Sequence, residues 1–161
     1  MGKIKKFAAI NIKKIVGGRD PVRVVEEFLL KLNVDPDAVL KDKSVESARW
    51  LVPLNKENEL EVLVENIRSA QETTFYLGIN VMTVPIRGSA DLLAAALEIA
   101  DGLVGIKLSL VGYYLVLSAT LGGADIAVDD LEYHYRLMTA QRRWFLDALS
   151  DEISPIVTEE S

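Results

Sequence analysis

The stretch Leu103-Val-Gly-Ile-Lys-Leu-Ser-Leu-Val-Gly-Tyr-Tyr-Leu-Val-Leu-Ser-Ala-Thr-Leu-Gly-Gly123 is the longest apolar run of the chain, and Lys107 is its one charge. By length alone it matches the roughly 20 apolar residues that cross a bilayer. Its internal pattern points elsewhere. Ile106, Leu108 and Leu110 alternate with Lys107 and Ser109, Gly112 offers a turn, and Leu115, Leu117 and Ala119 resume a period of two. The stretch therefore reads as a β-hairpin with one apolar face, and the surrounding sequence must supply the rest of a sheet.

Upstream, three extended segments meet that need: Ser47–Leu54; Glu59–Ile67, alternating around Leu60, Val62 and Val64; and Thr73–Val84, rich in β-branched and aromatic residues. Asn55-Lys56-Glu57-Asn58 and Ser69-Ala70-Gln71-Glu72 are the turns between them, and Pro85 ends the meander. Asp20-Pro21 is an N-cap followed by proline at the first helical position, with Val24, Val25, Phe28, Leu29 and Leu32 as the apolar stripe of a helix over 21–32. Asp35-Pro36 repeats the device for a short turn reaching Lys41. Ser89 is the expected N-cap of a very apolar helix over 90–101, and Asp129-x-x-Glu132 reads as an acidic capping box opening a helix that runs to about Leu149, before Pro155. The expected fold is α+β: an antiparallel sheet, made of a three-stranded meander plus a β-hairpin, packed with helices.

Composition bounds the chemistry. A single domain of 161 residues buries enough surface for its own core. With no cysteine, disulfides, thiol nucleophiles and thiolate zinc sites are excluded. Six of the 18 basic residues (Lys3, Lys5, Lys6, Lys13, Lys14, Arg19) precede the first acid, Asp20, which leaves 12 bases against 24 acids in the remainder. That body repels phosphate polyanions, so no nucleic-acid partner is expected. Residues 1–19 form a separate basic segment. Ile4, Phe7, Ala8, Ile12 and Ile15 share one face of an amphipathic helix, Lys3, Lys6, Lys13 and Lys14 cluster opposite, and Gly17-Gly18 stops it. Phe7-Ala-Ala-Ile10 is too short for a secretory signal. Docking on the protein's own acidic body is the favoured role of this extra helix, and an anionic membrane surface is the alternative. Residues 20–152 form the domain and 153–161 an acidic tail.

The last helix carries the candidate site. At about 100° per residue its polar face, Glu132, Arg136, Thr139, Arg143 and Asp147, is narrow, and Glu132–Arg136 and Arg143–Asp147 are i,i+4 pairs. The remainder splits into two apolar lobes. Leu131, Tyr135, Met138, Phe145 and Leu149 form one; Tyr133, Leu137, Ala140, Trp144 and Ala148 form the other. One sheet covers one stripe of a helix, so the second lobe calls for further cover. Tyr133, Leu137, Ala140 and Trp144 are the candidate partner-binding residues, and a homodimer is expected from this lobe and from the apolar helix 90–101.

Catalytic chemistry finds no support. His134 stands without a nucleophile or metal-ligand spacing, Gly17-Gly18 and Gly122-Gly123 lack phosphate-loop and dinucleotide patterns, and the acids Asp125, Asp129, Asp130 and Glu132 lack an EF-hand's alternation. No catalytic residue, cofactor or metal is assigned.

The order helix, meander, helix, hairpin, long helix over 21–149 resembles the type III secretion chaperone-like fold, especially its YbjN-type branch. Local similarity lies in Leu92–Ala100, Gly105-Ile-Lys-Leu-Ser-Leu110, Tyr114-Leu-Val-Leu117, the Asp-Leu-Glu helix start and Trp144-Phe145-Leu146. The resemblance implies a small, acidic, dimeric, cytoplasmic protein that binds polypeptides and is not an enzyme. The basic helix 3–16 departs from the secretion chaperones and favours the YbjN-like side. The alternative function is a peripheral membrane adaptor using that Lys-rich helix.

Overall fold

The computed structural model describes residues 19–159 except Ala70, with side chains described to Glu152. The expected helix 3–16 lies outside the described residues. The first helix, α1 (Pro21–Lys31), starts where Asp20 accepts the Val22 N–H at 3.1 Å and Pro21 takes the first helical position. It ends in a Schellman arrangement. Asn33 adopts φ 58°, and the N–H groups of Asn33 and Val34 donate to the carbonyls of Leu30 and Leu29. Asp35 caps a single turn, α2 (Pro36–Val39), in the same way.

Six strands follow in one antiparallel sheet: β1 (Leu40–Lys43), β2 (Ser47–Pro53), β3 (Glu59–Glu65), β4 (Thr74–Thr83), and, after helix α3 (Ser89–Ala100), β5 (Lys107–Val111) and β6 (Tyr114–Gly122). Their spatial order is β1-β2-β3-β4-β6-β5, so the hairpin joins the meander through its second strand. The apolar run at 103–123 is thus a hairpin, as its period of two requires. Among the described residues no helix is long and apolar enough to cross a membrane.

The sheet sorts its side chains by alternation. Trp50, Val62, Leu77 and Leu117 point to one face and are buried there beneath α1, α3 and the last helix, α4 (Val128–Glu159). Two cores result. The larger gathers α1, the meander and the first half of α4; the smaller gathers Leu92 and Ala96 of α3 with Leu115, Phe145 and Leu149. The opposite face bears the Arg49–Glu61 ion pair, Leu51, Leu63 and Tyr76.

Four local expectations are corrected. Leu40–Lys43 is a strand rather than part of a turn: its charged residues make it a blunt edge that takes its order from pairing with β2. Gly88, at φ 72°, occupies the N-cap of α3 without a side-chain bond, and Ser89 is already helical. At the start of α4 the box is shifted by two residues, to Ala127 and Asp130. Asp130 reaches back to the Ala127 N–H at 2.7 Å, while Asp129 and Glu132 turn to Lys31. Finally, α4 continues past Leu149 and through Pro155 to Glu159. A proline removes one helical N–H and strains the carbonyl four residues before it, which bends a helix without obliging it to end.

Candidate partner-binding surface

Helix α4 divides as its two lobes require. Leu131, Met138 and Phe145 are 0% exposed and Leu149 is 2% exposed, which seals the first lobe into the two cores. Tyr135 joins it with its ring edge-on to Phe28, 6.0 Å between centroids. On the polar face Glu132 pairs with Arg136, whereas Arg143 and Asp147 make no ion pair among the described residues.

The second lobe remains at the surface. Tyr133 is 61% and Trp144 46% exposed, Ala140 is exposed, and Leu137 is half-buried. What partly covers it is the connection 101–106 between α3 and β5. A Cβ on Gly102 would stand 2.7 Å from Cη2 of Trp144, so only glycine lets the indole lie against that backbone. Gly105, at φ 71°, brings the chain to Leu137, whose Cδ2 would be 3.4 Å from a Cβ there. Between the two contacts, the Gln141 side-chain amide bonds both backbone groups of Val104. The connection therefore lies over Leu137 and one edge of Trp144.

Gln141 and Gly102 are parts of this surface that periodicity alone did not single out. The signal was the Gly102-x-x-Gly105 spacing in a short helix-to-strand connection. Around it, Leu97 of α3 is 69% exposed and Val104 71% exposed, which adds apolar area on adjoining elements. Within the described residues α3 is thus covered on one side only, through Leu92 and Ala96.

Charged groups near α4 serve architecture. Lys31 Nζ reaches Asp129 at 2.8 Å and Glu132 at 3.0 Å, which raises the lysine pKa and holds both carboxyls below their ordinary values, chiefly through those hydrogen bonds. Arg142 spans from α4 to the β4 bulge, donating to the carbonyls of Asn80 at 3.2 Å and Val81 at 3.4 Å and to Asn58 Oδ1 at 3.0 Å. It satisfies carbonyls that a bulge takes out of the ladder. His134 shares a 2.9 Å hydrogen bond between its Nδ1 and the Asp130 carbonyl, one turn back, and meets the Tyr133 ring edge-on. On the open sheet face the Tyr76 ring folds over Gly78 beside the Ser118 hydroxyl, which has no partner in hydrogen-bond geometry among the described residues. Burial first, and then Glu61, push the Tyr76 phenol pKa up, with Ser118 opposing the shift. Among the described residues no group of three His, Asp or Glu side chains is gathered for a metal.

No protein-family model matches the sequence, and no curated protein matches it either. Solved structures do match. The ExsC–ExsE complex aligns at 12% identity and a TM-score of 0.55, over 80% of this chain and 92% of the other. YbjN from E. coli aligns at 13% identity and a TM-score of 0.50, over 84% of this chain and 96% of the other. A HopA1–SchA chaperone–effector complex aligns at 14% identity and a TM-score of 0.48, over 76% of this chain and 90% of that one. The fold is type III secretion chaperone-like, of the form seen in YbjN, with a six-stranded antiparallel sheet and helices on one face.

Proposed function

We propose that this chain is a non-enzymatic, chaperone-like protein-binding domain that works as a cytoplasmic homodimer and engages a polypeptide through Tyr133, Leu137, Ala140 and Trp144. The carrying observation is the exposure of Tyr133 at 61% and Trp144 at 46% on a helix whose other apolar lobe is buried apart from the half-buried Tyr135. Tyrosine and tryptophan offer large contact area at little entropic cost and dominate protein interfaces. The acidic body disfavours a nucleic-acid ligand. A structural neighbour, ExsC, occurs in complex with a second protein, which supports a binding role for the same architecture.

The dimer is assigned to the outer side of α3, where Leu97 is 69% exposed. Light scattering across protein concentrations tests it: the native chain gives twice the monomer mass, and Leu97→Glu gives a folded monomer. Affinity capture from the source cell tests the partner site. Proteins retained by the native chain and lost by Trp144→Ala support this reading, and identical retention by both refutes it.

A further inference from the structure

Arg19, where the described chain begins, stands at the lip of an open groove of about 640 Å³ between the second half of α1 and the start of α4. Its walls carry Leu30, Ala127 and Val128, with Glu27 at one rim and the Lys31–Asp129 ion pair at the other. Leu30 is unusual for its place: Phe28 and Leu29 beside it are sealed at 0% exposure, yet Leu30 is 59% exposed. Glu27, one turn earlier on the same side of α1, is exposed and pairs with no cation among the described residues. Asp129 leaves 86% of its side chain exposed even while it holds Lys31. An apolar floor flanked by the Glu27 carboxylate, unpaired among the described residues, and the exposed side of Asp129 thus lies open beside Arg19.

The segment that enters there has complementary chemistry. Between residues 3 and 16, Ile4, Phe7, Ala8, Ile12 and Ile15 share a helical face, Lys5 borders it on one side and Lys3 and Lys14 on the other, and no acid is present. As a helix these residues are about 21 Å long, comparable with α1, and Gly17-Gly18 supplies the conformational freedom to reverse direction. We propose that residues 3–16 of the same chain fold back into the α1–α4 groove, Phe7 and the isoleucines on Leu30, Ala127 and Val128, and the border lysines toward Glu27 and Asp129. This inference stands apart from the partner site, which lies on the other lobe of α4.

The chain has no cysteine, so a nitroxide on Lys6→Cys, on the outward side of the segment, reports its position uniquely. In the full chain without lipid, the amides of Glu27, Leu30, Val128 and Asp129 lose most of their NMR intensity, while those of β5 keep theirs. The pair Glu27→Lys, Leu30→Lys restores the lost intensity, and both positions are exposed, so the melting curve verifies that the fold is retained. Raising salt to 1 M recovers part of it, because the Debye length falls to about 3 Å. Intensity loss that is uniform, centred elsewhere or indifferent to the double variant overturns the proposal. So does a segment that leaves the groove amides unaffected yet carries the protein onto phosphatidylserine vesicles, an association lost on deleting residues 1–18.

Discussion

Gln141 holds Val104 as a paired strand would: its Oε1 accepts the Val104 N–H at 2.9 Å, and its Nε2 donates to the Val104 carbonyl at 2.7 Å. The bond pair straps the α3–β5 connection to the surface of α4. Two hydrogen bonds near solvent are together worth about 1–3 kcal/mol. Gln141→Leu should lose that amount in chemical denaturation and accelerate amide exchange at Val104, with the strands unaffected. Unchanged exchange at Val104 would mean that the connection is held by Gly102 and Gly105 packing instead.

Trp144 and Phe145 are neighbours in sequence and opposites in environment, at 46% and 0% exposure. Phe145→Ala opens a cavity in the smaller core and should cost about 3–5 kcal/mol. Trp144→Ala removes contacts on one edge of the indole and should cost about 1–2 kcal/mol. Denaturation at several protein concentrations separates these values from dimer dissociation. Equal losses for the two variants would make Trp144 a core residue.

The Lys31 cluster has a pH signature. Asp129 and Glu132 titrate below their ordinary values in the folded chain, so their contribution is present above the unfolded carboxylate pKa of about 4 and is lost as pH falls through the depressed folded values. Lys31 titrates above its ordinary value, so its contribution is full below about pH 10 and disappears as pH rises through the raised one. Lys31→Met should therefore lower Tm slightly at pH 7 and not at pH 2, and 1 M salt should shrink the difference. A Tm gap that persists unchanged at pH 2 would assign the loss to packing of the lysine stem.

Much of this architecture was legible because its signals are local. The period of two over Leu60–Val64 and over Leu115–Ala119, and the Asp-Pro pairs before α1 and α2, act within a few residues. The features that escaped depend on distant partners. Leu40-Lys-Asp-Lys43 has no alternation of its own and is a strand because β2 lies beside it. Asp129 and Glu132 look like helix-capping acids until α1 brings Lys31 to them, across 98 and 101 residues. The candidate site was half legible for the same reason. Helical spacing groups Tyr133, Leu137, Ala140 and Trp144, but only the folded chain lays residues 101–106 across the stripe and leaves Tyr133 clear of it.

The most direct test of binding through the second lobe of α4 is site-specific photo-crosslinking in the source cell. A benzoylphenylalanine at Tyr133 should yield an adduct with a polypeptide on irradiation. The same probe at Lys56, exposed in the β2–β3 turn, should yield none, and Trp144→Glu should abolish the adduct at Tyr133. No adduct at Tyr133, or equal adducts at Tyr133 and Lys56, would contradict a partner surface on this face of α4.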